Sequence, residues 1–91
     1  WANAEGFYLV LTDQPGAESW PITGASFILV HKEQANAATA KEILTFFDWC
    51  YRNGASTAEK LDYVPMPEAV VSLVEKTWAE EIKSTGKPVW P

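Results

Sequence analysis

Cysteine, histidine and arginine are almost missing from this chain: its 91 residues include one of each, Cys50, His31 and Arg52. A single cysteine closes no internal disulfide and supplies no cysteine-based zinc site. The neighbours Phe46, Phe47, Trp49 and Tyr51 are aromatic, and no histidine or clustered cation stands by to lower a thiol pKa, so Cys50 reads as a small buried apolar group. A lone histidine leaves little room for nucleophilic chemistry. A hydrolase would have to pair His31 with Asp48 or Asp62 and with Ser19, Ser26, Ser56 or Ser72, yet no nucleophile-elbow pattern surrounds any of these serines. His31 and Glu33 together offer two candidate metal ligands with no second pair at recognisable spacing. No catalytic residue, no metal ligand and no cofactor site is expected.

Positive charge is also scarce. Seven basic residues face twelve acidic ones, for a formal charge of −5, and Lys32, Lys41, Arg52, Lys60, Lys76, Lys83 and Lys87 are spread along the chain. Nucleic-acid binding needs clustered cations that displace counterions, so DNA and RNA are not expected partners. No apolar run approaches the roughly 18 residues of a membrane span, and no charged-then-apolar leader is present. Internal repeats and low-complexity tracts are absent as well. The only methionine is Met66, and a chain without an initiating methionine is expected to be a processed product or a piece of something larger.

What the chain does have is apolar mass, 47% of its residues, with five Trp, three Tyr and four Phe. The most informative tract is Trp20-Pro21-Ile22-Thr23-Gly24-Ala25-Ser26-Phe27-Ile28-Leu29-Val30-His31-Lys32. Pro21 pushes Trp20 out of the helical region. The run Phe27 to Val30 is short and without alternation, the pattern of a strand covered on both faces. Such a strand needs neighbours on both edges, and the chain offers at most one other strand-like stretch, Gly6 to Thr12, which reads equally as the end of a helix. The imbalance favours a piece of a larger α/β protein over a self-contained domain. Between the two stretches, Asp13-Gln14-Pro15-Gly16 is a turn.

Helical signals begin only after the tract. Asn36 is a good N-cap for a helix over 37–53, in which Ala40, Ile43, Leu44, Phe47 and Tyr51 form a buried stripe that Phe46, Trp49 and Cys50 widen. A helix this apolar is expected to be covered on more than one side. Gly54 reads as its left-handed terminator. Ser56-Thr57-Ala58-Glu59 matches a capping box and predicts a short helix over 56–62. After the stiff Tyr63-Val64-Pro65-Met66-Pro67 linker, a last helix is expected over 67–83, starting on Pro67 and carrying Val70, Val71, Val74, Trp78 and Ile82 on its inner stripe. Glu80 and Glu81 fall on its solvated face. Ser84 to Pro88 ends this helix, and Val89-Trp90-Pro91 forms a tail that docks by its Trp. The group Phe46, Phe47, Trp49 and Trp78 is taken as core rather than as a ligand platform. Arg52, near a helix C-terminus, is assigned to offsetting the dipole there rather than to an anion, and Thr23-Gly24-Ala25-Ser26 reads as a corner in the chain.

These residues, in this order, resemble a known family. Trp20-Pro21-Ile22-Thr23 with Phe27 to Lys32, then Leu44-Thr45-Phe46-Phe47-Asp48-Trp49 with Tyr51 and Gly54, then Leu61 to Pro67, and last Trp78 with Gly86-Lys87-Pro88, look like the C-terminal portion of the periplasmic phosphate-binding proteins of ABC-type phosphate transporters. The resemblance covers nearly the whole chain from about Trp20 onward. It implies an α/β fold, the C-terminal part of a two-lobed periplasmic-binding-protein (type II) architecture in which phosphate is enclosed between the lobes. Residues 1–19 would be a segment and turn and residues 20–31 a crossing segment and strand, followed by the helices over 37–53, 56–62 and 67–83. It further implies a periplasmic location, inorganic phosphate as the ligand of the complete protein, and as partners the remaining N-terminal part of the same protein and an ABC permease. The loops that hold the anion in that family have no matching positions here, so no phosphate-binding residue is assigned. The other reading is an interaction module completed by a partner chain or by self-association; neither reading is an enzyme.

Overall fold

A computed structural model describes residues 1–91, which divide into two compact units, Trp1–Val30 and His31–Pro91. The first unit is built of turns. A single 3-10 turn spans Glu5–Phe7, and Trp1 lies 6.5 Å from Phe7, ring centre to ring centre. Gln14 Nε2 donates to the carbonyl of Val10 at 2.9 Å, Ser19 Oγ donates to that of Pro15 at 2.9 Å, and the Asp13 amide reaches the Pro21 carbonyl at 2.9 Å. Asp13 and Gly16 both stand at positive φ, 54° and 118°, which places the expected turn where Asp and Gly tolerate the left-handed region.

The expected strand is not formed. Phe27, Ile28, Leu29 and Val30 lie in no ladder and are exposed, Leu29 to 94%. Gly6 to Thr12 supplies no neighbour either, being the 3-10 turn and irregular chain. The physical reason is the one the sequence already implied. A strand exists by virtue of its ladder partners, and this unit contains none.

The second unit holds the core. Helix α1 runs Ala37–Asn53, and the Asn36 side chain caps it by accepting from the Thr39 amide at 3.0 Å. Helix α2, Ala55–Lys60, starts one residue earlier than its capping-box pattern suggested, with Gly54 at its N-cap and no side-chain cap bond. Gly54 is not left-handed; its φ is −92°, and the Gly54 amide donates to the Cys50 carbonyl at 2.8 Å. A side chain here is barred by space instead of handedness, because a Cβ on residue 54 would stand 2.5 Å from that carbonyl oxygen.

Helix α3 runs Glu68–Glu81; Pro67, expected as its first helical residue, is extended and sits at the N-cap position with no side-chain cap bond, and the helix stops short of the expected end. Lys83 is not helical: Lys83–Ser84 form β1, which pairs antiparallel with β2, Lys87–Pro88, across Thr85 and Gly86. Both turn residues have positive φ, 52° and 78°, as a two-residue hairpin of the tight, primed kind requires. Glu33 steadies the strained Thr85, its Oε1 accepting from the Thr85 amide at 2.8 Å. The segment Lys32–Gln34 lies alongside β1 in parallel, with the Lys83 amide on the Lys32 carbonyl and the Gln34 amide on the Lys83 carbonyl, both at 2.7 Å.

Ala40, Leu44, Trp78, Ile82 and Val89 form the buried centre, with Phe47, Tyr51, Val74 and Trp90 packed around it. The tail docks by its tryptophan: Trp90 meets Trp78 edge to face, ring centres 5.2 Å apart, while Tyr51 covers Trp78 from α1 at 6.2 Å. Phe46 and Trp49, expected in the core, are 58% and 59% exposed, since α1 turns only its Ala40, Leu44, Phe47 and Tyr51 side toward α3.

Leu44→Ala is expected to cost about 2–5 kcal/mol, as a deleted side chain in a fully covered site does, whereas Trp49→Ala in this chain should leave the midpoint of urea unfolding within the scatter of surface substitutions. Chemical denaturation of both variants, followed by circular dichroism, separates the two.

Candidate functional site

The second unit concentrates its charge around Arg52. From the last turn of α1 its guanidinium donates through Nε to Asp48 at 3.3 Å, through Nη1 to Glu68 at 2.9 Å and through Nη2 to Glu75 at 2.7 Å. Asp48 is one turn back on the same helix. Glu68 and Glu75 stand two turns apart on α3, so they share a face and the fork of Arg52 spans both. The dipole-offsetting role expected from sequence is thus the smaller part of the finding. The residue ties α1 to α3, and all three of its nitrogens donate to carboxylates, so it is surrounded by negative charge that opposes an anion.

Three carboxylates around one cation leave the group short of positive charge. Glu75 shows a raised pKa: burial first, then the neighbouring Asp48 carboxyl, lift it above the ordinary Glu value, although Arg52 pulls the other way. The hydrogen bonds that Arg52 donates to Glu68 and Glu75 push its pKa further up, and burial, with the nearby Cys50 and Glu75, raises that of the Tyr51 phenol.

The other residues weighed from sequence are scattered. His31 is exposed, its carbonyl accepting from Gln34 Nε2 at 2.6 Å. Glu33 is occupied with the hairpin amide. Ser19, Thr45, Thr77 and Thr85 spend their hydroxyls on nearby backbone carbonyls. Thr23, Gly24 and Ser26 are exposed chain. Cys50 is half-buried on α1 as a free thiol. Nowhere do three or more His, Cys, Asp or Glu side chains come together in a way that could hold a metal ion. No helix is long and apolar enough to cross a membrane.

Sequence reasoning missed the Arg52 partners. The Asp48–Arg52 spacing is an ordinary helical pair, and the seven-residue separation of Glu68 and Glu75 marks one face of α3, but nothing in the sequence says that the two faces meet.

A second feature is apolar. On the side of α1 away from the core, Ile43, Phe46 and Trp49 are 42%, 58% and 59% exposed. In the first unit Trp20, Ile22, Phe27 and Ile28 are exposed as well.

No protein-family model matches the chain. Curated relatives do. The chain is 43% identical over 91 residues to the phosphate-binding protein PstS of Pasteurella multocida, a match that takes in 99% of the chain. It is 46% identical over 83 residues, 91% of the chain, to the phosphate-binding proteins PstS of Haemophilus influenzae and of Xylella fastidiosa strain Temecula1. The chain spans about a quarter of the length of these relatives, 26%, 25% and 23%. The other reading, an interaction module completed by a partner chain or by self-association, is not favoured by these matches.

Because the folded chain holds the Glu75 proton more tightly than the unfolded chain does, Glu75 contributes stability that is fully present below the ordinary Glu pKa of about 4.3 and is lost as pH rises through the raised, folded-state value. Glu75→Gln removes that loss. The stability of the native sequence relative to this variant is therefore expected to decline across that window, and carboxyl-carbon NMR titration should find Glu75 protonating at higher pH in the folded chain than in the urea-unfolded chain.

Proposed function

Because this chain matches the C-terminal fragment of a phosphate-binding protein PstS, we propose that it is the structural, terminal part of the phosphate-binding component of an ABC-type phosphate importer. The observation that carries the reading is the identity of 43–46% across nearly the whole chain. The complete receptor on this reading is a two-lobed protein of the periplasm. It closes on inorganic phosphate and then docks on a membrane permease. Its task is binding and delivery, and no step of it calls for a catalytic residue from this chain.

Within that protein, residues 20–31 serve as a crossing segment and strand, and α1, α2 and α3 pack on the lobe they return to. Two physical features support this. From Ile22 to Val30 no backbone group has a hydrogen-bond partner in the chain, which is the state of a strand awaiting its ladder. The only guanidinium is held by Asp48, Glu68 and Glu75, so the donors that desolvate a phosphate come from elsewhere in the receptor.

Calorimetric titration provides the test. Inorganic phosphate added to the chain alone should give no binding heat. A chimera in which this chain replaces the matched quarter of the Pasteurella multocida protein should bind it. Tight binding by the isolated chain, or none by a folded chimera, would overturn the reading.

A further inference from the structure

We propose that Asn53-Gly54, the one Asn-Gly pair in the chain, is a deamidation site that the junction of α1 and α2 holds closed, so that the modification proceeds only when the junction opens. The chemistry needs no cofactor, only water. The Gly54 backbone nitrogen, losing its proton, attacks Cγ of Asn53; the new C–N bond closes a five-membered succinimide as the Cγ–Nδ2 bond breaks, and ammonia leaves with the proton. Water then opens the ring at one or the other carbonyl to leave aspartate or isoaspartate, and nothing is oxidised or reduced. Glycine in the second place favours the attack, because no Cβ shields the nitrogen and the backbone turns freely. Asn3 and Asn36 are each followed by alanine, which makes them slow references within the same chain.

The fold engages both reacting groups. Asn53 is the last residue of α1, and Gly54 joins it directly to α2. The Gly54 amide, which must become the nucleophile, donates to the Cys50 carbonyl at 2.8 Å. The Asn53 Nδ2, which must leave, donates to the Trp49 carbonyl at 3.2 Å. Ring closure also takes the Asn53 backbone out of its helical conformation. The Asn53 side chain is exposed, so these bonds and the helical backbone, not burial, are what restrain it. A free helix end frays readily. This one is anchored on both sides: Arg52 is tied to Glu68 and Glu75 of α3, and the Gly54 carbonyl accepts from the Ala58 amide of α2 at 2.9 Å. Opening the pair therefore means releasing the last turn of α1 and the first turn of α2 together.

The two products differ in whether the junction can close again. Isoaspartate inserts a methylene into the main chain next to Gly54, where the Cys50 carbonyl leaves no room even for a Cβ. Aspartate keeps the spacing and only adds a negative charge at the C-terminal end of α1, where the helix dipole disfavours it.

The test incubates the chain at mildly alkaline pH, in buffer and in urea, and follows each asparagine by peptide mass and by enzymatic methylation of isoaspartate. In urea Asn53 is expected to convert faster than Asn3 and Asn36; in buffer its conversion should be slower than in urea by roughly tenfold or more. Leu44→Ala, which loosens the core beneath α1, should bring the rate in buffer toward the rate in urea, and Asn53→Gln should abolish the modification at this position. The isoaspartate form, purified and returned to buffer, should exchange its Gly54 and Ala58 amide hydrogens roughly tenfold faster than the native chain, with Asn53→Asp close to native. Equal rates for Asn53 in buffer and in urea, or a Leu44→Ala chain that converts no faster than the native one, would overturn the proposal.

Discussion

Trp78 is the contact on which the second unit depends. It projects from α3 into the space between Tyr51 of α1 and Trp90 of the tail, and it shares its burial with Ala40, Leu44, Ile82 and Val89. These residues come from three stretches of chain, α1, the C-terminal end of α3 and the tail, and none of the stretches covers its apolar side alone. The early stop of α3 follows from this arrangement. Ending the helix at Glu81 lets Ile82 turn inward and frees Lys83 and Ser84 to start the hairpin that brings Val89 and Trp90 back over Trp78. Had the helix continued through Lys83, the tail would leave the core open.

Electrostatics reinforce the same junction from its rim. Arg52 bridges α1 and α3 where the two helices are half exposed, and its planar fork satisfies carboxylates that would otherwise repel one another. The cost of concentrating three acids there falls on Glu75, which is held partly out of water beside Asp48. A cation so engaged has a structural role. That outcome is consistent with a segment that shapes a receptor and leaves the grasp of its anion to other residues.

The chain is unevenly finished. One side of α1 is packed and the other more than 40% exposed at Ile43, Phe46 and Trp49, and the tract from Ile22 to Val30 has exposed apolar side chains and no ladder. On the proposed reading both features have one cause: apolar surface and backbone polar groups each require a partner, and a chain that spans about a quarter of the length of its relatives would supply only some of them.

The residues alone determined the helices, because capping and periodicity are local properties. Asn36 and the stripe of Ala40, Leu44, Phe47 and Tyr51 place α1 without knowledge of any neighbour, and the prolines at 65 and 67 set where α3 starts. The resemblance to phosphate-binding proteins was legible too, since the ordered motifs from Trp20 to Pro88 lie in the primary sequence. Contacts decided what remained. Whether Phe46 and Trp49 are core or surface, whether Phe27 to Val30 is a strand, where α3 ends and which acids surround Arg52 all depend on groups distant in sequence, and distance along the chain carries no record of which faces meet.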